Sequence, residues 1–221
     1  MEPYFADDRV TLYHGDCRDV LPRLDGRQET IITDPVWPGA SLSLPGSGHD
    51  DEENPQDLLA DALALAPEST RRVALHLGTS SDPRFLAAVP ARFPFFRTAQ
   101  LDLSFPSYRG RLLYSCDTAY LFGQVPPSRD DQHLIPGHCS SDGTTGNETD
   151  HPAGRKLHHV RWLVKWWSAP GDTILDPFAG AATTLAAAAY FNRDAVGIEI
   201  NERFCELAAE QRLCQPAFAF D

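Results

Sequence analysis

The chain lacks most of what a secreted, membrane or metal-stapled protein needs. Its five cysteines (Cys17, Cys116, Cys139, Cys205, Cys214) are odd in number and scattered, which argues against a disulfide framework and for a reducing compartment. No apolar run approaches the roughly 20 residues of a membrane span; even Leu58 to Pro67 is interrupted by Asp61. Met1 to Arg9 carries acids and no apolar segment, so no secretory signal is expected and a cytoplasmic protein without a membrane partner is. His133, His138, Cys139, His151, His158 and His159 invite a metal site, but neither CxxC nor HExxH spacing occurs among them. They read as solvated histidines, and no metal is expected. Basic residues are scarce too, with 19 Lys and Arg against 31 Asp and Glu and a net charge of −12. Such a field repels polyanions, so any nucleic-acid binding has to rest on a local basic patch and be salt-sensitive.

What is present is an ordinary globular composition, 42% hydrophobic and 23% charged over 221 residues, suited to a single domain. Short β-branched or aliphatic runs alternate with helical periodicity. Strands are expected at Thr11–His14, Ile31–Thr33, Arg72–Leu77, Phe95–Phe105, Leu112–Phe122, Thr173–Leu175 and Ala195–Ile198. Helices are expected at Asp19–Leu24, Pro55–Ala66, Pro83–Val89, Leu157–Trp167, Ala181–Phe191 and Asn201–Leu213. This alternation indicates an α/β fold with a mostly parallel sheet. Residues 38–54 are rich in Gly, Ser, Pro and acids, and 124–154 are polar without periodicity; both read as loop inserts in one domain spanning 1–221. The first insert is either a solvated linker or a lid over the strand end it follows.

Two stretches carry chemistry. Ile31-Ile32-Thr33 ends abruptly in Asp34-Pro35-Val36-Trp37, which delivers a carboxylate, a rigid proline and an aromatic ring to a strand's carboxyl end. Ligands bind along that edge in open α/β sheets, and the set suits a flat, amino-bearing ring. Near the C-terminus, Thr173–Asp176, a Pro177-Phe178-Ala179-Gly180 turn, an alanine-rich helix and Val196–Glu199 form a βαβ unit. A glycine turn at a helix start lets a ligand approach backbone N–H groups. An acid about twenty residues on suits ribose hydroxyls. No GxGxxG is present, so a pyrophosphate-bearing dinucleotide is disfavoured.

Asp176-Pro-Phe-Ala-Gly-Ala-Ala-Thr-Thr184 with Gly197-Ile-Glu-Ile resembles the cofactor half of the S-adenosylmethionine (SAM)-dependent amino-methyltransferases of DNA. Asp34-Pro-Val-Trp37 resembles their Asp-Pro-Pro-Tyr/Trp catalytic motif, and Leu12-Tyr-His-Gly-Asp-Cys17 the motif before it. His151-Pro152 with Lys156 resembles the segment before the cofactor strand. Catalytic motif first and cofactor motif last is the order of that family's β group. The resemblance implies a Rossmann-like class I fold, a twisted and mostly parallel sheet with helices on both faces, and SAM as cofactor. Asp34, Pro35, Val36 and Trp37 would hold a flipped-out base, adenine N6 by the aspartate-first motif. Phe178, Ala179 and Gly180, with Asp176, Pro177 and Thr183, would shape the methionine pocket. Glu199 would accept from the ribose, and Asp16 from the adenine amine with Cys17 packed on the ring. Departures are Val36 for a second proline and Gly180-Ala181-Ala182 for Gly-Ser-Gly.

Candidate phosphate contacts are Arg109, Arg111, Arg155 and Lys156, with Arg161 and Lys165 further along. The expected partner is DNA, with RNA or single-stranded DNA as alternatives and a homodimer or accessory subunit as a source of extra contacts. Other readings are a cytosine-N4 or RNA adenosine enzyme, or a catalytically weak SAM-fold paralogue serving as a nucleic-acid-binding or partner subunit.

Overall fold

The computed structural model describes residues 1–36, 54–78, 81–128, 133–143 and 156–213. Within these residues nine strands form one sheet: β1 (Phe5–Ala6), β2 (Val10–His14), β3 (Thr30–Thr33), β4 (Arg72–Leu77), β5 (Phe95–Arg109), β6 (Leu112–Gly123), β7 (His138–Cys139), β8 (Thr173–Asp176) and β9 (Asp194–Glu199). Their order is β1-β2-β9-β8-β3-β4-β6-β5-β7. The centre, β2-β9-β8-β3-β4, is parallel throughout, while β1 and β6 run antiparallel to their inner neighbours. From β8 the chain continues outward to β9, and from β3 it continues the other way to β4. The β8–β3 boundary is therefore the topological switch point, where such sheets open a crevice.

Among the described residues, five α-helices accompany the sheet: α1 (Cys17–Val20), α2 (Pro55–Leu65), α3 (Leu157–Trp167), α4 (Thr183–Tyr190) and α5 (Glu202–Leu207). Period-2 alternation along the strands sorts side chains into two cores. Leu12, Ile32, Ala74 and Ile174 pack with α3, α4 and α5, whereas Ile31, Val73, Leu75 and Leu175 pack with α1 and α2. Because both faces are covered, the central strands are near-continuously apolar; β3 and β4 are buried at every residue. Asn54 caps α2 by accepting from Gln56 N at 3.0 Å, with Pro55 at the first helical position. Gly197 is required by packing: a Cβ there would lie 2.7 Å from Leu185 Cδ2 and 3.1 Å from Ala179 Cβ. Its bare backbone lets α4 and the turn before it settle onto β9.

Several expectations are corrected. The polar insert contains β7, which pairs Gln100 with His138 and Leu101 with Cys139. The strand expected to end at Phe105 continues to Arg109 through a register shift between Asp102 and Ser107, because a partner strand extends with it. Pro83–Ala88 is a 3-10 helix, and the last helix changes to π geometry over Ala208–Leu213. Among the described residues no helix is long and apolar enough to cross a membrane. The proposed lid, apart from Asn54, lies outside the described residues, as do Trp37, His151, Pro152 and Arg155.

Candidate active site

Four acids stand at the carboxyl ends of four adjacent parallel strands. In sheet order they are Asp16 after β2, Glu199 closing β9, Asp176 closing β8 and Asp34 after β3. The two Asp-Pro pairs, Asp34-Pro35 and Asp176-Pro177, flank the switch point. Proline has no N–H for the ladder, so both strands stop there and the chain leaves at the sheet's rim. Pro35 and Pro177 are buried, and Asp34 and Val36 are half-buried.

The two strand ends are joined directly. Thr33 Oγ1 donates to Asp176 Oδ1 at 2.6 Å, and Phe178 N donates to the same oxygen at 3.1 Å. Asp176 is 3% exposed; burial pushes its carboxyl pKa up, and hydrogen bonds from Thr184, Thr33 and Phe178 oppose the shift. The Asp176 carboxylate thus fixes both the turn that follows it and the residue before Asp34. Thr33 was not foreseen as a site residue. A threonine ending a buried strand looks like ordinary β-propensity, and only the β3–β8 pairing gives it a role.

Glu199 is held at both oxygens: Oε2 accepts from Gly180 N at 2.7 Å and Oε1 from Asn201 N at 2.9 Å. Burial pushes its pKa to about 7, with those N–H groups pulling down and Asp176 pushing further up. The Ile200 N–H also lowers it, and a carboxylate's roughly four acceptor sites still leave capacity for a hydroxyl. The turn itself, Phe178-Ala179-Gly180, is anchored by Ala179 N to Ile198 O at 2.9 Å. Gly180 has φ +50° and Ala182 φ +57°, Ala182 being the N-cap residue just before α4. A non-glycine residue in the left-handed region carries a strain of about 1–2 kcal/mol. Thr183, the first residue of α4, is buried.

Asp16 is placed at the same rim, but its carboxylate is engaged. It caps α1 by accepting from Arg18 N at 2.8 Å and pairs with the Arg18 guanidinium, Nε at 3.0 Å and Nη2 at 2.5 Å. Cys17 is 5% exposed; burial, then Asp16, pushes its thiol up to about 12, so it is a protonated, apolar contact.

Among the described residues the candidate basic side chains have different surroundings. Arg111 is exposed in the turn between β5 and β6, among exposed Tyr108, Leu112 and Leu113, whereas the Arg109 side chain is outside the described set. Lys156 Nζ donates to Ser104 Oγ at 2.8 Å, and Arg161 lies 3.9 Å over the Tyr190 ring. The histidines expected to be solvated divide. His138 is 55% exposed beside Asp102, but His159 is 1% exposed and its pKa is pushed down by burial. It is covered because α3 presents a second face to the β5–β6 hairpin, which helical periodicity alone does not reveal.

Residues 93–210 match the profile of a family described as DNA methylase (N6_N4_Mtase). The chain is 26% identical over 225 residues to YubD of Escherichia coli K12, named as a methylase, with 94% of each chain covered. A 58-residue stretch is 38% identical to the DNA adenine methyltransferase YhdJ of Escherichia coli K12, covering 26% of this chain and 20% of that one. A 45-residue stretch is 44% identical to the orphan methyltransferase M.BamHII of Bacillus amyloliquefaciens, covering 20% of this chain and 17% of that one. Those two matches span about a fifth of the relatives' lengths. Among solved structures, the M1.HpyAVI–SAM complex superposes with TM-score 0.69 at 19% identity, covering 93% of this chain and 100% of that one. The cytosine-N4-specific PvuII DNA methyltransferase gives TM-score 0.63 at 15% identity, covering 94% and 88%. At such identities the likeness is one of fold, the class I methyltransferase fold.

Proposed function

The chain belongs to the DNA methylase family that comprises adenine-N6 and cytosine-N4 enzymes, and on that premise we propose that it transfers a methyl group from SAM to adenine N6 in DNA. The observation that carries this reading is the 2.6 Å hydrogen bond from Thr33 to Asp176. It fastens the strand end bearing Asp34 to the strand end bearing the Asp176–Gly180 turn, so a base held at one and a cofactor held at the other lie on neighbouring strands.

The residues at the rim fit SAM. Asp176 and Glu199 face the crevice with N–H and hydroxyl partners, and SAM carries positive charge on sulfonium and ammonium. A carboxylate offers about four acceptor sites, so Glu199 would accept from a ribose hydroxyl beside its N–H partners. When bound, SAM supplies an electrophilic methyl group. Everything else falls to the chain. An exocyclic base nitrogen is a poor nucleophile because its lone pair is delocalised into the ring. The Asp34 carboxylate and the Pro35 carbonyl can each accept one of its N–H bonds, turning the nitrogen towards tetrahedral geometry and localising the lone pair. Transfer then depends on proximity and orientation. Val36 in place of a second proline leaves that carbonyl on a less rigid backbone. Trp37, assigned from sequence, would stack on the flipped base, and Cys17 would pack against the adenine of the cofactor. Arg111, with Arg109, Arg155 and Lys156, would meet phosphate.

Adenine is favoured over cytosine by the aspartate-first motif and by the name of YhdJ. Two observations favour the second reading, a weakly active SAM-fold protein acting as a partner or nucleic-acid-binding subunit. Ala182 sits strained beside the turn, and both oxygens of Asp16 are taken by Arg18.

Purified protein incubated with methyl-labelled SAM and unmodified duplex DNA, single-stranded DNA or RNA, then digested to nucleosides, tests the proposal. Labelled N6-methyldeoxyadenosine is expected, and Asp34→Ala should lower its formation by about 10²–10³-fold while SAM binding by calorimetry persists. Label in N4-methyldeoxycytidine would move the assignment to cytosine. SAM binding without label in any polymer would leave the second reading.

A further inference from the structure

His76 on β4, Asp117 on β6 and His159 on α3 each bring one potential ligand atom to a common point, all within 4.8 Å of one another. None of the three has a part in the methyl-transfer site proposed above. We propose that they form a binding site for one divalent transition-metal ion, with zinc as the ion of choice.

Three features point that way. The first is the fixed proton on His159. Its Nε2 lies 2.8 Å from the Asp102 carbonyl oxygen; a carbonyl only accepts, so Nε2 carries the hydrogen and the lone pair belongs to Nδ1. A ligating imidazole is usually held this way, its remote N–H on a carbonyl or carboxylate. The second is spacing. His76 Nε2 and Asp117 Oδ2 are 3.5 Å apart, long for a hydrogen bond. It is close to the roughly 3.4 Å between two ligands of a tetrahedral ion with bonds of about 2.0–2.1 Å. No separation exceeds 4.8 Å, so the ligand atoms have to close by at most about 1.4 Å to reach tetrahedral spacing, within reach of side-chain torsions. The third is composition and burial: two imidazoles and one carboxylate, at 2%, 1% and 9% exposure, form a ligand set suited to zinc and its neighbours. A divalent cation balances the carboxylate in a place where charge is costly to leave uncompensated.

Position gives the site a structural use. Leu75 pairs with Thr33 across β4 and β3, so His76 stands one strand away from Asp34 and at its level. An ion here would clamp β4, β6 and α3 together, holding the β5–β6 hairpin against the strand beside the base pocket. A fourth position would be left to water.

The test uses the full chain freed of metal by chelator dialysis, then titrated with zinc against a chromophoric competitor and, separately, with cobalt(II). One equivalent of zinc per chain is expected, with a rise in thermal midpoint and cobalt ligand-field bands lacking sulfur charge transfer. Asp117→Asn and His159→Phe should each weaken zinc by at least about tenfold. His138→Ala, at an exposed histidine outside the cluster, should leave it unchanged. Far-ultraviolet dichroism confirms that each variant is folded; should a variant fail to fold, the wild-type cobalt spectrum decides. No stoichiometric binding, cobalt bands of thiolate origin, or zinc affinity lost in His138→Ala but kept in Asp117→Asn would overturn the proposal.

Discussion

The two edges of the parallel sheet treat buried acids in opposite ways. At the amino edge, Asp172 is 7% exposed, and its Oδ2 receives Arg72 Nη1, Thr30 Oγ1 and Ala169 N, each at 2.8 Å. A guanidinium from β4 and an acid just before β8 neutralise each other across β3. At the carboxyl edge, Asp176 and Glu199 are as deeply buried but receive hydroxyl and backbone N–H groups, and burial raises both. One edge balances its charge within the fold and so contributes rigidity. The other leaves its carboxyls without a cation, so they hold protons to higher pH, and a cationic ligand would favour their charged forms. The same residue type therefore serves architecture at one end and recognition at the other.

Breaking the matched edge should have the largest effect. Arg72→Met leaves Asp172 buried without its cation, and a loss of about 3–5 kcal/mol in urea unfolding is expected. SAM binding, measured well below the thermal midpoint, should barely change. The double variant Arg72→Met/Asp172→Leu should recover most of the loss. A single variant as stable as wild type would show that the pair does not anchor this edge.

The unmatched edge should instead reveal itself through pH. Glu199 has a folded pKa of about 7 against an ordinary 4.5, so between those values the folded state holds a proton that the unfolded chain has released. Stability contributed there is present below about pH 4.5 and lost as pH rises towards 7. Glu199→Gln removes this part of the slope. Relative to wild type, the variant should gain on the order of 2–3 kcal/mol between pH 5 and pH 8, whatever constant cost its amide incurs facing two N–H donors. Parallel pH dependence of the two proteins would remove the contrast between the edges.

The smallest change sharpens the same edge. Ala182→Gly relieves left-handed strain but gives up a buried methyl group and some unfolded-state restriction. A gain under about 1 kcal/mol in stability is expected, together with tighter SAM binding by calorimetry. Weaker binding would mean that the alanine methyl supports the turn.

Much of the carboxyl edge was legible from residue order. β-branched runs that stop at Asp-Pro announce strand ends, and an acid about twenty residues beyond a glycine turn announces a second. The mostly parallel α/β sheet followed from the alternation of elements, and the class I fold from the resemblance carried by the two motifs. What was hidden depends on pairing between distant segments. Thr33 gains its role only because β8 lies beside β3, and Arg72 with Asp172 only because β3 lies between their strands. His159 is buried by a hairpin whose Asp102 lies 57 residues upstream, and β7 exists because Leu101 offers an edge to an otherwise polar stretch. The Arg18 clamp on Asp16 is local, yet a two-residue spacing carries no periodic signal.

The place of β9 sets the timing of the site. Synthesised after every other described strand, it is inserted between β2, nearly the first, and β8. Until Asp194–Glu199 has formed, β2 and β8 each offer an unpaired edge across a vacant strand position, and Gly15 N has yet to meet Glu199 O. Such long-range closure is slow and exposes sticky edges meanwhile. The Asp176 turn can meet Thr33 without β9, but Glu199 and its hold on Gly180 N arrive only with that strand, so the cofactor side of the pocket is completed last.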